Sequence, residues 1–79
     1  MSWQIEWSPA AIAALRAIPW RQAARVDAAV QRLAATSEGD LVRVTDHPTA
    51  ARLRLPPYVV YLNLDRQTGI LSVWYVYRR

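Results

Sequence analysis

Arg52 and Arg54 stand at alternate positions in Ala51-Arg52-Leu53-Arg54-Leu55. In an extended strand both guanidinium groups then leave from one face. Two more arginines, Arg78 and Arg79, close the chain, directly after the aromatic run Trp74-Tyr75-Val76-Tyr77. All ten basic residues are arginine, against six acids, for a formal charge of +4 and a pI near 10.4. Arginine grips phosphate bidentately and stacks on bases, so the chemistry on offer is anion binding, with nucleic acid or an acidic protein as partner. Two plainer readings stand beside this one. Arginine-only basicity also follows from GC-rich codon usage, and Arg52 and Arg54 also suit the solvated face of an ordinary strand. The single histidine, His47, precedes Pro48 and reads as a turn residue. With no cysteine and one histidine, neither a disulfide nor a protein-only zinc site is expected, and no cofactor is implied.

The elements that must position these arginines are legible in hydrophobic period and punctuation. Trp3-Gln4-Ile5-Glu6-Trp7 alternates apolar with polar, the period of a half-buried strand. Ser8-Pro9 is a helix start, serine at the N-cap and proline in the first turn. A helix over residues 10–18 puts Ile12, Leu15 and Ile18 on one face, and Pro19 ends it. A second helix, over residues 20–35, carries Ala23, Val26, Val30 and Leu33 as its apolar stripe and turns Arg21, Arg25 and Arg32 to water. Trp20, at its start, is expected to be exposed. Residues 36–40 are loop, and Leu41–Thr45 is an optional extra strand before the turn at Asp46-His47-Pro48. Then come the Arg52/Arg54 strand and Pro56-Pro57. Last are two strands, Tyr58–Asp65 and Ile70–Arg79, joined through Arg66-Gln67-Thr68-Gly69 as an antiparallel hairpin. Both are apolar at nearly every position, so both should be central and covered on two sides. Tyr75 and Tyr77 then read as core or edge packing.

The order β-α-α-β-β-β describes one α+β domain, residues 1–79, with a two-helix hairpin packed on a small, mainly antiparallel sheet. No apolar run reaches the length of a membrane span, and the start of the chain lacks a signal-peptide pattern, so a cytoplasmic protein is expected.

In that order and spacing, Trp7-Ser8-Pro9, Arg52-Leu53-Arg54 followed by Tyr58, and Tyr75-Val76-Tyr77-Arg78-Arg79 resemble the RelE/ParE toxins of type II toxin–antitoxin systems. The likeness runs over the whole chain. It implies a curved sheet under two helices and a cognate antitoxin as partner. It also implies one of two bacterial activities, or else a catalytically inactive member kept as an antitoxin-binding module. The ribonuclease branch cuts mRNA in the ribosomal A site without metal; the ParE branch inhibits DNA gyrase without catalysis.

For the ribonuclease branch the resemblance implies attack of a 2′-hydroxyl on the adjacent phosphate. Arg52, Arg54, Arg78 and Arg79 would stabilise the phosphoryl oxygens, and Tyr77 would stand at the terminal proton-transfer position. Arginine stays charged and abstracts protons poorly, so Tyr75 and Tyr58 are the other candidates for that step. The family pattern also places an arginine directly after the tyrosine that opens the third strand, where this chain has Val59, and a longer tail with a further tyrosine. Both departures fit the gyrase-directed branch better.

Overall fold

The computed structural model describes residues 2–79. Strand β1 (Gln4–Trp7) leads into helix α1 (Pro9–Arg16) and helix α2 (Trp20–Thr36). Four strands follow: β2 (Leu41–Arg43), β3 (Ala50–Leu55), β4 (Tyr58–Asp65) and β5 (Ile70–Arg78). They form one five-stranded sheet in the order β1-β5-β4-β3-β2, with β1 parallel to β5 and every other pair antiparallel. The fold is α+β, as the sequence pattern implies, and the optional extra strand exists as β2, two residues shorter than expected.

Local chemistry accounts for each boundary. Ser8 caps α1, its hydroxyl accepting from the Ala11 amide at 3.0 Å with Pro9 in the first turn. Pro19 separates the helices, and α2 ends at Ser37 in the left-handed conformation (φ 62°), whose amide donates to the Leu33 carbonyl. The hairpin turn closes through Gly69 at φ 72°, its amide donating to Asp65 at 2.9 Å, while the Asp65 carboxylate accepts from the Gln67 amide.

The core lies between the helices and one face of the sheet. Val26, Val30 and Leu33 of α2 bury as the stripe predicts, against Leu53, Val60, Leu62, Leu71, Val73 and Val76. Helix α1 is rotated from the expected face: Ala11 is fully buried and Ile12 points outward. A small residue at the contact lets α1 approach the sheet closely, a fit that Ile12 in the same place would prevent. From α2, Arg25 donates to the Pro56 carbonyl at 2.9 Å and to Gln22, tying the helix to the β3–β4 turn.

The expectation of two-sided cover fails. Strand β4 is central and β5 is its neighbour, yet the helices cover only one face of the sheet. The other face carries Trp74 and Tyr75, which remain 36% and 49% exposed. Apolar residues on both faces of this hairpin therefore mark a central position in the hydrogen-bonded order, not burial on both sides.

Candidate functional site: an arginine and aromatic face

Cross-strand register assembles the open face. Val42, Arg52, Tyr61 and Tyr75 form one row across β2, β3, β4 and β5, and Arg54, Val59 and Tyr77 form the adjacent row. Directly opposed residues of a pair share a face, so each row is a line of neighbouring side chains.

A β-bulge in β5 decides what reaches this face. Tyr61 pairs with Tyr75 while Leu62 pairs with Val73, which leaves Trp74 as the extra residue. Without it, strict alternation from Leu71 and Val73 would turn Tyr75 and Tyr77 into the helix-side core. The added residue reverses the parity: Val76 takes the core position, and Tyr75 and Tyr77 emerge beside the arginines. Reading these tyrosines as packing is thereby corrected. Trp74 stacks on Tyr61 with centroids 5.4 Å apart, and Tyr75 on Tyr77 at 6.2 Å, giving two aromatic pairs side by side.

Arg52 lies between Val42 and Tyr61 and, among the described residues, has neither an ion pair nor a side-chain hydrogen bond. Arg54 is engaged. Its Nε and Nη2 donate to the two carboxylate oxygens of Asp40 at 3.1 and 3.0 Å. Arg79 is held by its amide, which donates to the Pro57 carbonyl at 2.9 Å. It lines a groove of about 300 Å³ together with Arg54, Pro56, Pro57, Tyr58 and Val59.

The remaining sequence candidates are placed elsewhere. Arg78 pairs with Tyr58, and Tyr58 is buried in the core, so Arg78 leaves the sheet on the helix side, exposed at its end. Tyr58 is excluded from the open face by the same pairing. His47 behaves as a turn residue: its Nδ1 accepts from the Ala50 and Thr49 amides at 3.1 and 3.4 Å, and its ring meets Trp74 edge-on. Trp20 is exposed as expected, at 74%, with the Arg21 guanidinium 5.3 Å from its ring. Tyr61, Trp74 and Asp40 were missed. Tyr61 is legible as the residue opposite Arg52 only once the register is known. Trp74 depends on the bulge, and Asp40 lies 14 positions from the arginine it pairs with.

Val59 is 4% exposed although it belongs to the open face, flanked there by Arg54 and Tyr77. It forms an apolar floor between a cation and an aromatic ring. Among the described residues no group of three His, Cys, Asp or Glu side chains could hold a metal, and no helix is long and apolar enough to cross a membrane. The face can therefore bind anions through Arg52, Arg54 and Arg79 and stack planar rings on Trp74 and Tyr75. Tyr61, Tyr75 and Tyr77 place hydroxyl groups on it.

Two helices on one face of a mixed five-stranded sheet, with arginines and aromatics on the other, define a small α+β domain built to present its sheet. Among solved structures, that architecture is the RelE-type fold. The archaeal RelE–RelB complex from Pyrococcus horikoshii OT3 matches with a TM-score of 0.85 at 15% identity, over 100% of this chain and 97% of that one. The toxin–antitoxin complex RelBE2 from Mycobacterium tuberculosis matches with 0.78 at 18%, over the whole of both chains. The RelB–RelE antitoxin–toxin complex from Methanococcus jannaschii matches with 0.74 at 12%, over 92% and 88%. No protein-family model matches the sequence, and a search of curated proteins finds no match. At these identities the likeness is one of fold.

Proposed function

We propose that this chain is the toxin of a type II toxin–antitoxin pair and that it acts on single-stranded RNA as a ribosome-dependent mRNA endonuclease. The observation that carries the reading is the unpaired Arg52 guanidinium set beside the stacked Tyr61–Trp74 pair. A cation for the backbone next to a π surface for the bases is the pairing that single-stranded nucleic acid binding requires. Arg52, Arg54 and Arg79 hold phosphates, and Tyr77, at the arginine end of the face, is the proton-transfer candidate. Arg78, on the helix side, takes no part in this grip. A cognate antitoxin would cover the same face, where Val42, Trp74 and Tyr75 leave apolar surface open to solvent.

A second reading, ParE-like inhibition of DNA gyrase without catalysis, is favoured by one feature. Val59 buries an apolar side chain at the position where the ribonuclease pattern has an arginine.

Induced expression in a bacterial host, with protein and DNA synthesis followed separately by pulse labelling, separates the two. A rapid fall in translation with mRNA cut at codon positions, lost in the folded Arg52→Ala/Arg54→Ala double variant, is the expected result. Full toxicity in that variant would remove both arginines from the site. An early stop in DNA synthesis with translation intact would transfer the reading to gyrase.

A further inference from the structure

Asp40 binds one residue three times. Its carbonyl accepts the Arg54 amide at 2.8 Å, and its two carboxylate oxygens accept from the Arg54 guanidinium. The loop before it is built to hold it there. Thr36 accepts the Glu38 amide, Glu38 pairs with Arg32 at 3.0 Å, and Gly39 lies so close to the sheet that an added Cβ would meet Leu53 Cδ1 at 2.9 Å. Leu53 is a core residue, so Gly39 seats the loop directly against the core.

We infer that Asp40 is an internal counter-ion that occupies Arg54 in place of a phosphate, and that RNA must displace it before Arg54 joins the grip. This rests on the RNA reading above. The bond is directional: Nε and one Nη2 hydrogen are spent on the carboxylate, the edge with which a guanidinium takes a phosphate bidentately. A phosphate approaching Arg54 also meets the negative charge of Asp40. Both side chains of the pair are 54% exposed, and exposed ion pairs are weak, so displacement is within reach of a polyanion already anchored on Arg52. The pair thereby sets how much anchoring is needed before Arg54 contributes. Isolated anions meet a site neutralised at Arg54; a strand that already engages Arg52 and stacks on Trp74 recruits it.

The test is binding of a single-stranded RNA oligonucleotide to the purified protein, titrated across salt. Asp40→Asn keeps the backbone bond and the side-chain shape while removing the charge. It should tighten binding roughly two- to fivefold at low salt. The slope of log affinity against log salt should stay near the wild-type value, because Arg54 meets phosphate in both complexes. In an Arg54→Ala background the same substitution should tighten binding less, because only the general repulsion between Asp40 and phosphate is then relieved. Binding that is unchanged or weakened by Asp40→Asn, in folded protein and with the wild type binding normally, overturns the inference and makes Asp40 a positioning residue. If neither wild type nor Asp40→Asn binds RNA at low salt, the RNA reading itself falls, and this inference with it.

Discussion

The hydroxyl of Ser8 donates to the Trp74 carbonyl at 2.6 Å while accepting from the Ala11 amide at 3.0 Å. The Ser8 amide meanwhile donates to the Val73 carbonyl at 2.9 Å. In a regular strand consecutive carbonyls point to opposite neighbours; here Val73 and Trp74 both turn toward Ser8, as the bulge between them and β4 allows. One side chain therefore starts the first helix and fixes the irregularity that puts Tyr75 and Tyr77 on the open face. The helix N-cap and the candidate site are coupled through it.

Ser8→Ala removes both side-chain bonds and should destabilise the fold by about 1–2 kcal/mol, read by denaturant unfolding. Ser8→Asp separates the two roles. It restores the cap acceptor but sets a carboxylate against the Trp74 carbonyl, so tryptophan fluorescence should report a changed Trp74 environment even where helix content is normal. Wild-type stability and fluorescence in both variants would break the link between cap and bulge.

Stacking on the open face gives a prediction for Trp74. If RNA bases lie on it, Trp74→Ala should weaken oligonucleotide binding by roughly 1–3 kcal/mol. Global stability should change less than for a core residue, since Trp74 is partly exposed. RNA affinity equal to wild type would leave the ring as antitoxin-facing surface only.

Charge on the two faces is not equivalent. With Arg52, Arg54 and Arg79 all engaged, the slope of log affinity against log salt should be near −2, on the basis of about 0.7 per contact. Arg52→Ala should lower its magnitude by about 0.7. Arg78→Ala should leave it unchanged, because Arg78 shares the helix side with Tyr58. An equal loss from both variants would show that the strand passes around the end of the sheet.

Two positions test the frame itself. Leu62, fully buried in the central strand, should cost about 2–5 kcal/mol on substitution by alanine. Gly69 has nothing within 4 Å of an added Cβ, so the cost of Gly69→Ala is that of its positive φ alone, about 1–2 kcal/mol, with Gly69→Asn milder. Thermal melts of the three variants should rank them in that order; a Gly69→Ala protein as stable as wild type would mean the turn can adopt another form.

Period and punctuation are local, so the chain alone dictates the elements and their order. Ser8-Pro9 starts a helix, Pro19 divides two, Gly69 turns a hairpin, and Val26, Val30 and Leu33 recur at helical spacing whatever surrounds them. It also put Arg52 and Arg54 on one face, since two residues of a regular strand cannot do otherwise. Tertiary structure decided which face that was and what shared it. One extra residue at Trp74 reversed the parity of β5, exchanging Tyr75 and Tyr77 for Val76 in the core, and a bulge depends on pairing with another strand. Tyr58 was buried and Arg78 turned aside for the same reason, their mutual register across β4 and β5. Asp40 reached Arg54 only through the pairing of β2 with β3. Alternation along a strand is a property of the chain; its phase, and the partner each charge meets, belong to the sheet.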